Sequence, residues 1–443
     1  MNKDLTVGNV RSTLGRFILP LLGSMLFQQL YNITDSLVAG KLISSSALAA
    51  VGNSYEITLV YISFAFGINM GCSVVVSQLF GAKRYRDVKT AISTTFIYTF
   101  FLCALLVTIG LVLSDALLEL IRTPAGLMAP SAEYLDIYIY GVLFLFFYNV
   151  ATGIFSAMGD SRTPFFFLAF SSLLNIAVDI VFVALFDMGI AGVAWATFLC
   201  QGISSVLSCT VLFKRLKEMV HEERAVLFSL PLLGKILKVA IPSTCQQLFV
   251  SVGNILVQSV INSFGAVVMA AYAAAIKLNN MVITTLMTLG SGVSSFAAQN
   301  IGAGKSDRVK SGYGNGIAIA LIFILPVTIV FFFFGRFLLL MFVSGAETDI
   351  IEAGRSFQMI ISPFYFVVAV KIITDAVLRG MGKMLPFVIS TFADLILRVV
   401  LAFVFSSFFG YIGIWYSWPV GWLVGTLFSV VFYLISDKGK SVV

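Results

Sequence analysis

The stretch GCSVVVSQLFGAKRYRDV, from Gly71 to Val88, comes back as GVSSFAAQNIGAGKSDRV, from Gly292 to Val309. Both close an apolar run on Q-x-x-G-A, at Gln78 and Gln299, and both then turn into charged sequence. A shift of about 222 positions also lays Pro20 over Pro242, Asn32 over Asn254, Met158-Gly159 over Met381-Gly382 and Gly189 to Gly192 over Gly410 to Gly413. The chain is therefore read as two copies of one unit: an N-terminal lobe of residues 1–213, a charged linker of 214–237 and a C-terminal lobe of 238–443.

Composition says what each copy is made of. Of 443 residues, 59% are hydrophobic, only 11% are charged and 42 are Phe, far from the make-up of soluble domains. A bilayer core about 30 Å thick takes roughly 20 apolar residues per helix. Twelve such runs are predicted, near 16–40, 51–79, 92–113, 134–157, 164–186, 190–213, 238–262, 272–300, 314–339, 357–379, 385–408 and 413–435. The runs are continuous, not alternating, which sets a β-barrel aside. The predicted fold is an all-α polytopic membrane protein. Six crossings return the chain to its starting side, so the two six-helix bundles share one orientation and are related by a pseudo-two-fold axis along the membrane normal.

Charge predicts which way the chain faces. The loops on the side of the N-terminus hold basic clusters at Lys83 to Arg86, Lys214 to Lys217 and Lys305 to Lys310, whereas the other side keeps only Lys41, Arg122, Arg336 and Arg355. The positive-inside rule places both termini in the cytoplasm of a cell (inner or plasma) membrane. The net charge of +7 follows from this topology, and no soluble domain is left to carry nucleic-acid binding. The polar start runs directly into a full-length span, so no cleavable signal peptide is expected. Cys72, Cys103, Cys200, Cys209 and Cys245 lie in apolar runs without C-x-x-C spacing and read as small core hydrophobes. His221 is the one histidine and falls in the charged linker. Zinc, haem and Ser-His chemistry are set aside, no cofactor is expected, and an enzyme is not the favoured reading.

Bare carboxylates in the apolar runs carry the functional signal. Asp35 ends a stripe of Ser24, Gln28, Tyr31 and Asn32 on the first helix. Ser172, Asn175 and Asp179 share one face of the fifth, and Thr197, Gln201, Ser204 and Ser208 one face of the sixth. Lipid penalises each of these groups, so the three stripes are expected to turn inward around a polar cavity. At about 1.5 Å per residue, Asp35 lies about 10 Å outward of its helix midpoint, and Asp179 and Thr197 each about 6 Å outward of theirs. Asp35, Asn175, Asp179 and Thr197 thus form a set of hard oxygen ligands at one level. Such a set suits a small cation such as Na+, and the same carboxylates can take protons instead. Asn175 and Thr197 could equally serve as hydrogen bonds between helices. Gln28, Tyr31, Asn32, Thr152 and Gln201 are the candidate cavity residues.

The second copy differs. Its seventh helix carries Gln247, Ser251, Asn254, Gln258 and Asn262, polar but uncharged. Its charges come as neighbours, Lys371 with Asp375 and Asp394 with Arg398, each pair one helical turn apart and able to neutralise itself. Gln247, Asn254, Lys371 and Asp375 are the candidate polar contacts here, since a lysine facing the cavity could compete for a carboxylate.

Gln28-x-x-Tyr31-x-x-x-Asp35, the Asn175, Asp179 and Thr197 constellation and the two Q-x-x-G-A stretches, set in two six-helix halves, resemble the multidrug and toxic compound extrusion (MATE) family over essentially the whole chain. The resemblance implies a monomeric secondary antiporter exporting small organic, often cationic, drugs as Na+ or H+ returns down its gradient. It would make Asp35, Asn175, Asp179 and Thr197 the coupling site and place Gln28 and Tyr31 beside the drug. Some branches carry acids on the seventh and tenth helices. This chain has Gln246 and Gln247 on the seventh, and Asp375 stands beside Lys371, so coupling is expected through the N-terminal half. Three other readings fit less well. A lipid-linked sugar flippase would show a more basic cavity, a membrane-embedded aspartyl protease would pair Asp35 with Asp179, and a channel would show single-channel currents that a carrier cannot.

Overall fold

The computed structural model describes residues 4–38, 43, 45–219, 225–342 and 347–438; the side chains of residues 32, 33, 35–37, 45, 46, 48, 49, 56, 437 and 438 lie outside the description. Lys41 and His221, which entered the orientation and chemistry arguments, are also outside it. The described chain is a succession of helices: α1 (Val10–Val38), α2 (Ser45–Gly81), α3 (Tyr85–Leu120), α4 (Ala125–Ala157), α5 (Arg162–Ile180), α6 (Gly189–Glu218), α7 (Leu230–Asn262), α8 (Ala266–Gly302), α9 (Ser306–Leu339), α10 (Thr348–Ile361), α11 (Tyr365–Gly380), α12 (Met384–Phe409) and α13 (Tyr411–Lys438). Eleven stretches among the described residues are long and apolar enough to cross a membrane, the first beginning in α2. Helix α1 lies over the first predicted run. This is an integral membrane protein.

Several helices start well before their predicted apolar runs, among them α3 at Tyr85, α4 at Ala125, α7 at Leu230 and α9 at Ser306. Hydropathy sees only the part of a helix in hydrocarbon; the polar first turn of α3, with Asp87, lies beyond it. The tenth predicted run is a broken helix. A 3-10 turn at Ser362–Phe364 separates α10 from α11, and Pro363 explains the break, since its ring removes a backbone donor. Pro20 lies inside the continuous helix α1.

By contacts the chain divides into two compact units. One comprises Met1–Thr6, Leu19–Thr244 and Gly302–Gly304, the other Val7–Ile18, Cys245–Ile301 and Lys305–Val443. In the first, α4 forms the spine: Phe146, Val150, Ile154 and Phe155 are fully buried among Val75 and Val76 of α2, Ile92 of α3 and Leu212 of α6. Close backbone approach is set by Gly67-x-x-x-Gly71 on α2. A Cβ on Gly67 would meet Thr244 Oγ1 at 1.8 Å and one on Gly71 would meet the Ile236 carbonyl at 2.6 Å, both on α7. Helices in lipid have no hydrophobic force between them, so small residues that let backbones touch supply the packing. The second unit is held by an aromatic cluster in which Phe357 meets Trp415 edge-on at 5.0 Å and Trp415 stacks on Tyr272 at 5.7 Å.

Helices α3 and α9 face outward. Phe101 and Val112 on one, and Phe333 and Phe337 on the other, are each two-thirds exposed or more, as expected of side chains against acyl chains.

At the start of α5, Asp160 ties the α4–α5 turn to the end of α6. Its Oδ1 accepts the backbone N–H groups of Arg162 and Thr163, both at 3.1 Å. Its Oδ2 accepts the Thr163 hydroxyl at 2.6 Å and the Arg215 guanidinium. Arg215 also donates to Thr163 Oγ1 at 2.8 Å and covers the Phe155 ring at 5.1 Å. Burial pushes the Asp160 carboxyl upward, but the bonds from Arg215 and Thr163 outweigh it and hold the group below its ordinary value of 3.8. A carboxyl whose folded value is depressed stabilises the fold above its unfolded value and loses that contribution as pH falls through the folded one. Asp160→Asn is therefore expected to cost about 2 kcal/mol at neutral pH. In detergent melts the gap between wild type and variant should stay constant from neutral pH down to about 5 and close below 3.8.

Candidate functional site

The sixth helix is brought to the first by one side-chain bond. Tyr31 Oη of α1 and Thr197 Oγ1 of α6 are 3.0 Å apart. Helix α1 is seated on α5 by an aromatic contact, Phe27 against Phe165 at 5.8 Å, and Gly23 leaves room for that ring, since a Cβ there would meet Phe165 at 2.7 Å. Helix α5 is tied to α6 where Ser171 Oγ donates to the Cys200 carbonyl at 3.2 Å. The two run antiparallel across a short turn, so one helical turn beyond Ser171 brings Asn175 to about the level of Ala196 and Thr197. Asn175 and Asp179 are both 0% exposed and Thr197 5%. The face of α5 read from the sequence therefore does point into protein.

A feature the sequence reading did not anticipate begins right after Asp179. Helix α5 passes at Val181–Leu185 into a π-helical turn, in which the Phe186 N–H reaches back to the Val181 carbonyl at 3.1 Å. Such widened turns are rare and concentrate at functional sites. VFVAL reads as ordinary apolar helix, so composition gave no signal for it.

The other candidates in this half are placed as follows. Asp35 lies in helix α1 one turn beyond Tyr31, but its side chain and that of Asn32 are outside the described residues. Gln28 is exposed and Gln201 half-buried. Thr152 joins a different contact: its hydroxyl donates to the Asn149 carbonyl at 2.9 Å and stands 3.4 Å from Asn69 Nδ2, while Asn69 also donates to the Asn149 carbonyl at 2.7 Å. Thr152 thus clasps α2 to α4. Ser204 and Ser208 are buried along α6.

In the second unit the two charge pairs form one cluster. Lys371 Nζ is 2.8 Å from Asp375 Oδ2 and 3.9 Å from Asp394 Oδ2, and Arg398 Nη2 is 3.0 Å from Asp394 Oδ1. All four residues are buried. Ser390 and Ser429 both donate to Asp375 Oδ1, at 3.1 and 2.5 Å, and the Arg398 guanidinium lies 4.5 Å over the Trp418 ring. Room for the cluster comes from α13, where a Cβ on Gly421 would meet Asp394 Oδ1 at 2.7 Å and one on Gly425 would meet Lys371 Cε at the same distance. The pairing within each helix was legible from its spacing. The link between the pairs, with Ser390, Ser429 and the two glycines, was not, because it depends on how α11, α12 and α13 face one another. Gln247 is half-buried, its backbone carbonyl accepting Ser251 Oγ at 3.3 Å. Asn254 is exposed, and neither joins the cluster in the contacts observed.

The MatE family model matches this chain twice, over residues 20–181 and 242–404. This chain belongs to the MatE family. The two matches begin at Pro20 and Pro242, the residues that the internal repeat superimposes. Two Bacillus subtilis relatives named as probable multidrug resistance proteins are similar along nearly all of this MatE chain. YpnP is 30% identical over 437 residues, with 97% of this chain and 96% of the relative covered. YoeA is 30% identical over 448 residues, with 98% and 96% covered. Among solved structures, a MOP superfamily transporter from Pyrococcus furiosus superimposes with a TM-score of 0.92 at 22% identity, covering 99% of this chain and 98% of that one. At that identity the likeness is one of fold.

The MatE fold thus contains, in its second unit, a charge-balanced cluster whose removal should be costly. Taking one partner from a buried ion pair leaves an uncompensated charge, at a cost of about 3–5 kcal/mol. Lys371→Met is expected to lower thermal stability in detergent steeply, and Lys371→Met with Asp375→Asn to recover part of the loss. Equal melting temperatures for wild type and Lys371→Met would contradict the buried pairing.

Proposed function

We propose that the protein is a secondary active antiporter that exports organic, often cationic, drug-like compounds in exchange for Na+ or H+. Membership of the MatE family, with relatives named for multidrug resistance, supports this reading and disfavours the flippase and protease alternatives. The observation that carries it is the full burial of Asp179 and Asn175 on α5, beside the Tyr31–Thr197 bond. A carboxylate held in a membrane span costs roughly 2.5–3.5 kcal/mol on insertion scales. A proton or small cation offsets that cost, and such a group is kept where uptake and release do work.

The proposed coupling site is Asp35, Asn175, Asp179 and Thr197, with Gln28, Tyr31, Asn32, Thr152 and Gln201 on the drug's side. The basic clusters support cytoplasmic termini by the positive-inside rule. The cycle runs by competition between ion and drug, with the N-terminal lobe (residues 1–213) and the C-terminal lobe (238–443) providing alternating access and each chain acting as a monomer. In the outward-open state the carboxylates take up Na+ or H+, the drug loosens and leaves, and the loaded protein turns inward to discharge the ion and bind drug again. Linkage makes the competition reciprocal: the drug lowers ion affinity by the factor by which the ion lowers drug affinity. The four-residue charge cluster already holds Asp375 to Lys371, and this favours coupling through the first half.

Liposomes loaded with ethidium test the proposal, with a Na+ gradient and a pH gradient imposed in turn. Wild type is expected to move ethidium under one of them, and Asp35→Asn and Asp179→Asn each to abolish that movement while remaining inserted and folded. Normal pumping by both variants would sink the coupling assignment.

A further inference from the structure

The residues ahead of α1 are clamped by one arginine. Arg308, in the first turn of α9, donates from Nη1 to the Gly8 carbonyl at 2.8 Å, from Nη2 to the Val7 carbonyl at 3.2 Å and from Nε to Asn300 Oδ1 at 3.0 Å. Its guanidinium also lies 5.8 Å from the centre of the Phe296 ring. Asn300 is fully buried near the end of α8, and its amide is aimed by its own Nδ2, which donates to the Phe296 carbonyl at 2.9 Å. Successive carbonyls of an extended chain point to opposite sides. Gly8, at φ 78°, turns those of Val7 and Gly8 toward the same guanidinium.

The residues of the clamp occur in the second copy of the repeat and not in the first. Where the second has Phe296, Asn300 and Arg308, the first has Val75, Leu79 and Asp87, and Asp87 is bound to Arg84 in its own turn. The clamp holds the start of a helix whose end lies elsewhere. Asn9 caps α1, its Oδ1 accepting the Ser12 N–H at 3.2 Å, and Leu14, Phe17 and Ile18 are buried along one face. Val7–Ile18 belong to the second unit, while the same helix from Leu19 onward belongs to the first, where Tyr31 meets Thr197. Helix α1 is unbroken from Val10 to Val38, so about 30 Å of hydrogen-bonded rod joins the clamp to Tyr31.

We propose that Arg308 is a positioning residue for α1: it makes the starting end of the helix follow the second unit, so that a movement of that unit is carried along α1 to the polar residues at its other end. What the movement accomplishes rests on the antiporter reading; the clamp itself does not.

Amide exchange of the full-length protein in detergent reads the clamp, and gradient-driven ethidium movement in liposomes reads its use. In Arg308→Gln, exchange over residues 6–13 is expected to rise about tenfold with that of α4 unchanged. Ethidium movement should fall about tenfold while ethidium binding in detergent keeps wild-type affinity, because a positioning residue acts on the cycle and not on the contact with the drug. Arg308→Lys replaces a planar fork by a single point of charge and should fall between the two in both readouts. Asn300→Leu, which installs the first copy's residue, should shift both in the direction of Arg308→Gln. Equal exchange over residues 6–13 in wild type and Arg308→Gln overturns the clamp. Exchange raised throughout the chain, or raised exchange with undiminished ethidium movement, overturns the positioning role. A wild type that moves no ethidium under either gradient refutes the antiporter reading instead, and the exchange comparison still decides the clamp.

Discussion

Hydrocarbon offers no hydrogen bonds, so each polar atom carried into it must be answered from within the protein or at the cost of several kcal/mol. That constraint shapes both units. It makes every spanning segment a helix, and it turns the outward faces of α3 and α9 into surfaces of Phe, Leu and Val. It also gathers the remaining polar side chains inside, where Tyr31 meets Thr197, Asn69 meets Asn149, and Asp375 meets Lys371, Ser390 and Ser429. Glycines supply the space: Gly67 and Gly71 let backbone come close in one unit, and Gly421 and Gly425 leave room for the charge cluster in the other.

The two copies of the repeat have used the same scaffold differently. In the first, a carboxylate stripe on α5 is buried against an α6 that contributes hydroxyls, and a π-helical turn follows it immediately. In the second, the acids are already matched by cations on their own helices. Duplication supplied a matched pair of bundles, and the distribution of charge then made them unequal. An exchanger that cycles one cavity between two faces needs both: similar halves to move, and one place where an ion can compete with cargo.

Hydropathy alone made the spans legible, because twenty apolar residues in a row have few other uses, and the repeat was legible because Gln78 and Gln299 keep their surroundings. The faces of α5 and α6 followed from helical spacing. What escaped was everything decided by contact between helices or by backbone detail. Pro363 was present in the sequence, yet its break lay inside a run that hydropathy treated as whole. The π-helical turn left no mark in VFVAL, and Thr152, a polar residue on an apolar helix, turned out to bond Asn149 and Asn69. The joining of Lys371 to Asp394 required knowing which way α11 and α12 face. Asp35 remains an assignment made from its position alone.

The one-turn spacing of the charges in the second unit bears on how the chain gets into the bilayer at all. Lys371 and Asp375 share a helix, as do Asp394 and Arg398, so each of these two acids enters the membrane with a cation one turn away before any neighbour has arrived. Asp179 has no cation one turn away in its own sequence. Helix α5 thus depends on the rest of its bundle, or on a proton, at the moment of biogenesis, and the carboxylate proposed to serve transport also makes its helix the harder one to insert.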